Sequence, residues 1–458
     1  MEGAIPSRES SPAKEETPPK HEEIMEAADD SSGALTVGFE LEVLFPILPS
    51  EQAIDPYCYH PGAIYKGKGK GQAAVEGRSM DKDDEEEAAF DEWLLTFLRC
   101  ELPREKIRAE RNDELYPLHD NLPRHDVWCV MRDHSVFYKE PVPERSLLST
   151  STSTPSTPAG YYRWVGREIT SGVLHTFDFS MCTLKAAMIC LVLRFARVHL
   201  NDTTSVHVHV GQGDKAFSLL MLKKFTTLLW LTDAAILKLH HPSRQDNDYC
   251  SPVSVESDLA LKPLAVLQAE NASPLSSLAA QRLTEAQMQH FLPEELWDQD
   301  SLLPAQIRRI WGARNVEEIA RLMTCSDRIS GRGSVGFRRF LPAGKTGGNT
   351  HTLKWRQMAG CLDPWPIVHW IRFCVAFTNV ARLTSATAFK AMIGEIHQTE
   401  GRFTGLDLLG MFGLKRERAY FSERLRDYEE GCAELYEGEM DGDLFLKRLD
   451  PTSLCAWA

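Results

Sequence analysis

The sequence has no run of about 18 apolar residues that would span a bilayer; Arg194, Arg197, Arg372 and Arg382 interrupt the longest candidates. It also lacks an excess of positive charge. Its 51 Lys and Arg against 65 Asp and Glu leave a net charge of -14, which argues against general binding to nucleic acid or to an anionic membrane surface. None of its 11 cysteines forms a C-x-x-C pair. They are scattered and odd in number, and no secretory signal precedes them, so reduced thiols and a cytoplasmic location are expected. Nucleotide-loop signatures fail as well. Pro342-Ala343-Gly344-Lys345-Thr346 ends like a phosphate-binding loop, but the upstream glycine that such a loop requires would fall at Arg339. The glycines from Gly331 to Gly348 are expected to form a mobile loop instead. No internal repeat is present.

The remaining composition is that of an ordinary globular protein. A chain of 458 residues has room for about three average domains, although large folds of mixed structure often use such a length for one. Three stretches are expected outside the packed fold. Residues 1–32 carry Glu, Pro, Ser and Lys with few large apolar side chains, too few to offset the entropy of ordering. Residues 66–88 open on a Lys/Gly run and close on an acidic run, which reads as a flexible insertion. Residues 146–158 are a Ser/Thr/Pro tract that reads as a long surface loop.

Between these stretches, strand and helix signals alternate. Helical spacing predicts a helix from Ser180 to about Asn201, a second from about Asp214 to Pro242, and a third opening at Asp363 with Pro364 in its first turn. Strands are expected at Leu35–Phe45, Asp126–Met131, Tyr161–Ile169, Ser205–Val210 and Thr350–Met358. Each of the informative strands has polar residues on one face only. The pattern predicts an α+β fold, with a mainly antiparallel sheet, helices behind it and an open functional face.

Two strands carry metal-capable pairs. Glu40 and Glu42 alternate with Phe39, Leu41 and Val43, while His207 and His209 alternate with Val206, Val208 and Val210. Side chains two apart in a strand share a face, so each pair projects together. If the strands are neighbours, two carboxylates and two imidazoles line one surface. Glu168 is a third candidate carboxylate, or an edge-strand glutamate in water. Asp133 reads either as a ligand or substrate anchor or as a turn-forming residue. Lys354 and Arg356 share a face that suits a polyphosphate or carboxylate, or else is simply solvated. Two histidines alone suggest zinc. Several carboxylates shift the preference toward Mg²⁺ or Mn²⁺.

In order, Gly38-Phe39-Glu40-Leu41-Glu42, Trp164 through Glu168 with Ser171, His207-Val208-His209-Val210-Gly211, Leu353-Lys354-Trp355-Arg356 and Leu362-Asp363-Pro364 resemble the amidoligase family known from fungi and bacteria. That family belongs with glutamine synthetase and glutamate–cysteine ligase. The resemblance runs from about Val37 to Phe377 and implies a catalytic domain over residues 33–430, followed by a C-terminal extension over 431–458. It implies a glutamine synthetase-like curved sheet with helices on its convex side. The concave face would take ATP, Mg²⁺ or Mn²⁺, and small-molecule or peptide carboxylate and amine substrates. ATP would phosphorylate the carboxylate, and the amine would then attack the acyl phosphate. By matching position, Glu40, Glu42, Glu168 and His207 would ligate metal, His209 would lie against the nucleotide phosphates, Arg356 would stabilise the transferring phosphoryl group, and Arg244 would contact substrate. The family has Glu where this chain has Lys354. A protonated lysine cannot ligate a metal, and it is expected to pair with Glu40 in the place of one ion. A catalytically silent nucleotide- or peptide-binding relative is the alternative this substitution raises, with a zinc hydrolase a third reading.

Overall fold

Thr36–Leu48 is a strand of 13 residues, β1, and the rest of the sheet is laid out from it. Val37, Phe39, Leu41, Val43, Phe45 and Ile47 alternate along it and are all buried on one face. A computed structural model describes residues 33–49, 55, 62–67, 82–109, 127–138, 162–245, 247–272, 278–297, 300–326, 332–342, 351–399, 401–430, 440–441 and 445–446. Tyr65–Lys66 (β2) and Leu174–His175 (β6) pair with the two ends of β1. Its antiparallel neighbours are Arg163–Thr170 (β5) and Ser205–Gly211 (β7). Beyond β5 lie Val127–Arg132 (β4) and Lys106–Ala109 (β3); beyond β7 lie Leu353–Ala359 (β9) and Val335–Gly336 (β8). The order β3-β4-β5-β1-β7-β9-β8 makes a mixed, mostly antiparallel open sheet, parallel only at β1–β2 and β3–β4. Met440–Asp441 (β10) and Phe445–Leu446 (β11) form a separate ladder.

Twelve α-helices occur among the described residues. Lys82–Glu101 (α1) precedes β3, Phe179–Leu193 (α2) follows β6, and Leu219–Leu237 (α3) follows β7. Val253–Glu256 (α4), Leu264–Ala272 (α5), Leu278–Phe291 (α6), Leu302–Trp311 (α7) and Val316–Leu322 (α8) lie between β7 and β8. After β9 come Pro364–Leu383 (α9), Ala386–Gln398 (α10), Gly405–Met411 (α11) and Lys415–Glu429 (α12). The helix α9 starts as its sequence predicts: the Asp363 carboxylate accepts from the Trp365 amide at 3.0 Å, with Pro364 in the first turn. Its Trp370 and Phe377 pack around Trp355 of β9, with ring centroids 5.8 and 5.1 Å away. Among the described residues, no helix is long and apolar enough to cross a membrane.

Two helices have other boundaries than expected. Leu193 ends α2, short of Asn201, because His199 exchanges main-chain hydrogen bonds with Leu44, while Arg197 donates to the Ala63 carbonyl and Phe195 accepts from the Ala63 amide. That pairing requires extended backbone, and it outcompetes further helix. The start of α3 is Leu219 rather than Asp214, since Ser218 caps the amide of Met221 at 3.1 Å.

The acidic end of the 66–88 stretch is corrected outright: it is folded from Lys82 onward as the start of α1. Arg132 and Arg167 are register partners, on the face opposite to Met131 and Glu168, and Arg163 shares the face of Arg167. Glu86 and Glu87 pair with Arg163 at 3.0 and 2.8 Å, and Asp91 pairs with Arg167 at 2.7 Å and with Arg132 at 3.2 Å. Phe90 inserts between these contacts, 5.5 Å from the ring of Phe45. An acidic helix is thus fixed to the sheet by three arginines and one aromatic residue. The other parts of the expected unpacked stretches, residues 1–32, 68–81 and 146–158, lie outside the described residues.

Arg167 is 1% exposed, so truncating it leaves Asp91 buried and without its main partner. Arg167→Ala is expected to lower stability by about 3–5 kcal/mol, read by urea denaturation. A loss under about 1 kcal/mol would mean that this ion pair contributes no more than an exposed one.

Candidate active site

The register of three strands decides what shares the face of Glu40 and Glu42. Glu40 is opposite His207, Glu42 is opposite Glu168, and Gly38 is opposite His209. On the next strand out, Lys354 is opposite His209. Directly opposed residues project to the same side of a sheet, so Glu40, Glu42, Glu168, His207, His209 and Lys354 converge. Arg356 follows Lys354 by two positions and joins them. Asp133 arrives from the turn after β4, whose Met131 is the register partner of Glu168. Gly166 permits this: a Cβ there would lie 2.3 Å from the Val136 carbonyl oxygen and 2.5 Å from that of Asp133.

At the centre stands Glu40, 2% exposed. Its Oε1 faces His209 Nε2 at 2.6 Å and its Oε2 faces His207 Nδ1 at 3.0 Å, while the Lys354 ammonium also pairs with Oε2. The predicted Lys354–Glu40 pair is therefore present. Burial by itself would raise this carboxyl, but His209 and Lys354, with hydrogen bonds from both imidazoles, outweigh it and hold Glu40 well below the usual range. Burial drives the imidazoles toward neutrality, His209 down to about 4 and His207 well below the usual value.

A neutral imidazole has one donor and one acceptor nitrogen, and the partners then assign the protons. His209 donates from Nε2 to Glu40 and accepts at Nδ1 from Thr352 Oγ1 at 3.1 Å. His207 lies with Nδ1 3.0 Å from Glu40 Oε2 and Nε2 2.6 Å from Ser205 Oγ, and Ser205 Oγ donates to Glu42 Oε2. Burial, joined by the charges of Asp133 and Glu168, pushes the Glu42 carboxyl well above the ordinary range. Burial and the charge of Glu40 likewise raise Glu168 to about 7.

Among the described residues, two groups could hold a metal ion. Glu40, Glu168 and His207 form one; Glu42, Asp133 and Glu168 form the other, with ligand atoms in each within 4.8 Å of one another. The second consists of oxygens alone, the donor set of a hard cation. Asp133 is a turn-forming residue, the second of its two sequence readings, and its carboxylate lies beside the site. Its Oδ1 accepts from the Ser135 amide at 2.8 Å to make a turn, while the carboxylate faces Glu42 and Glu168.

The opposite side of the site is basic. Arg356 has Nε and Nη1 buried without a hydrogen-bond partner, and burial lowers it to about 10 against the charges of Glu40 and Glu42. Gly336 leaves the slot for this guanidinium, since a Cβ there would lie 2.4 Å from Nη1. Arg332 reaches the turn of Asp133 by donating to Ser135 Oγ at 3.0 Å and lies over the ring of Tyr249 at 5.7 Å. Gly336 was expected in a mobile loop; it is instead part of β8, paired with Lys354. Arg244, 1% exposed, donates to the main-chain carbonyl of Arg356 at 2.8 Å. It braces β9 from beneath the site, where the resemblance had placed a substrate contact. His209, assigned to phosphates by the same resemblance, is engaged with Glu40.

Ser205, Thr352, Gly336 and Arg332 were not singled out from the sequence. Ser205 is in phase with His207 and His209, and Thr352 with Lys354, so alternation pointed to both. Nothing local marked Gly336 or Arg332.

The sequence family described as "Putative amidoligase enzyme" matches residues 34–300, more than half of the chain. The chain belongs to the amidoligase family. The matched region contains β1, β4, β5 and β7 with Glu40, Glu42, Asp133, Glu168, His207 and His209, and it ends before β9. Comparisons with curated proteins and with solved structures found no match.

A carboxyl raised in the folded state favours folding below its unfolded value and loses that advantage as pH rises through the folded one. The metal-free amidoligase should therefore lose stability between the ordinary glutamate range and about pH 7, where Glu168 titrates. Glu168→Gln should melt with the parent at pH 4.5 and above it at pH 8, by a difference on the order of 3 kcal/mol at most. Thermal melts in chelator across this range measure it. A variant that melts below the parent at pH 8 would show that the charge of Glu168 is compensated.

Proposed function

We propose that this amidoligase is an ATP-dependent carboxylate–amine ligase, forming an amide or isopeptide bond through an acyl phosphate on a glutamine synthetase-like sheet. The observation that carries the reading is the division of one buried site into a carboxylate cluster, Glu42–Asp133–Glu168, and an orphaned guanidinium, Arg356. A buried donor without a partner is costly, and a phosphoryl or carboxylate oxygen satisfies it with a charge-assisted hydrogen bond. Glu42 and Glu168, raised by burial and by neighbouring negative charge, are relieved by a divalent cation. Both requirements are met by a nucleotide bound with Mg²⁺ or Mn²⁺.

In this reading Glu42, Asp133 and Glu168 hold the metal ion, which neutralises phosphate charge. Arg356 binds the phosphoryl oxygens and stabilises the charge that they carry during transfer. An oxygen of the substrate carboxylate attacks the γ-phosphorus and ADP leaves. The amine nitrogen then attacks the acyl carbon, inorganic phosphate departs, and the amine loses a proton to give the neutral amide. Glu40, fixed by His207, His209 and Lys354, positions the ligand strands. The substrates are a small molecule or peptide supplying the carboxylate and another supplying the amine. The net charge of -14 is unfavourable for nucleic acid, and the scattered cysteines suit a cytoplasmic protein.

One observation favours a second reading. The ammonium of Lys354 already neutralises Glu40, as expected for a relative that binds nucleotide or peptide without turnover. The zinc hydrolase reading is weaker, because His207 and His209 do not share a ligand group among the described residues.

Amine-stimulated ADP release, screened over amino acids and peptides with Mg²⁺, is expected from the parent. Arg356→Ala should reduce it by roughly 10²–10³-fold with the melt unchanged. Nucleotide binding by the parent without ADP release for any amine would replace the ligase reading with the silent one.

A further inference from the structure

Glu40 and the carboxylate cluster beside it are compensated in opposite ways. Every oxygen of Glu40 is engaged: Oε1 by His209, Oε2 by His207 and by the ammonium of Lys354. Among the described residues, no lysine or arginine pairs with an oxygen of Glu42, Asp133 or Glu168; Lys354 acts on Glu42 and Glu168 only through its charge. Glu168 is 8% exposed and accepts from Thr170 at Oε1, 3.0 Å. Among the described residues nothing donates to its other oxygen. Glu42 Oε1 lies 3.4 Å from His207 Nδ1, which is closer to Glu40. The ligand atoms of Glu42, Asp133 and Glu168 lie within 4.8 Å of one another, and carboxylates so close are stabilised by a shared cation.

We infer that Lys354 is a resident cation at Glu40 that excludes a divalent ion there, so that the site takes a single ion, seated on Glu42, Asp133 and Glu168. The inference rests on the metal-dependent reading above and adds the number of ions and the role of Lys354 in limiting it. The physical reason is charge. An ion at Glu40, Glu168 and His207 would have to approach a lysine ammonium bound to the same carboxylate, and it would need the nitrogen or lone pair that His207 has committed. The all-oxygen seat shares no carboxylate oxygen with the ammonium and uses no histidine nitrogen, although the Lys354 charge reaches Glu42 and Glu168. It selects a hard cation, Mg²⁺ or Mn²⁺, over zinc. Asp133 contributes to it from a turn that its own Oδ1 keeps closed, so the ligand is held whether or not the ion is present.

Mn²⁺ titrated into the metal-free full chain, with free ion followed by its electron paramagnetic resonance signal, counts the seats. One ion per chain is expected for the parent and two for Lys354→Met, which keeps the length of the side chain and removes its charge. Lys354→Gln provides the same comparison if the methionine variant does not melt cooperatively. Asp133→Asn retains the Oδ1 acceptor of the turn, and should weaken the single site of the parent by at least the roughly 10–100-fold that loss of an outer partner costs a metal site. Two ions in the parent, one ion in both Lys354 variants, or an Asp133→Asn protein that binds Mn²⁺ like the parent would each overturn the inference while leaving a metal-dependent ligase standing. No ion in the parent or in any variant would overturn the metal-dependent reading itself.

Discussion

Glu40 joins three strands through one carboxylate: it belongs to β1, accepts from His207 and His209 of β7, and pairs with Lys354 of β9. A fully buried carboxylate persists only when donors surround it, so this group constrains the positions of all three strands at their site face. Through Ser205, which contacts both Glu42 and His207, and Thr352, beside His209, the same network runs on from Glu40 to Glu42 and to the start of β9.

Charge is divided between the two faces of the sheet in a complementary manner. On the helix side, Arg132, Arg163 and Arg167 are matched by Glu86, Glu87 and Asp91 of α1, and the pairs are closed. On the site side, among the described residues, no lysine or arginine pairs with Glu42, Asp133 or Glu168, and no carboxylate pairs with Arg356. Closed pairs hold an element in place. Open ones are a cost that a ligand relieves, as expected where stability has been given up for binding.

Much of the fold was legible in the sequence. The five expected strands correspond to β1, β4, β5, β7 and β9, and Asp363-Pro364 marked the start of α9, because alternation and capping are local effects. The failures were of the opposite kind. The acidic run before α1 resembles a solvated insertion by composition, and only the arginines on β4 and β5, far along the chain, make it a docking surface. The end of α2 was missed because the residues after Leu193 pair with Leu44 and Ala63, more than a hundred positions away.

The site divides along the same line. Period-two alternation by itself determined that Glu40 goes with Glu42, His207 with His209 and Lys354 with Arg356, since each pair lies within one strand. Register between strands was decided by the tertiary structure, because pairing is chosen by the packing of the whole apolar face and not by any local signal. That register brings Glu42 opposite Glu168 and Glu40 opposite His207. It also lets the turn bearing Asp133 rest on Gly166 and the guanidinium of Arg356 occupy the space above Gly336. Alternation marked the polar side chains on each strand; which of them lie close enough to hold one ion, and which hydrogen-bond to each other, followed from the distances that only the assembled sheet imposes.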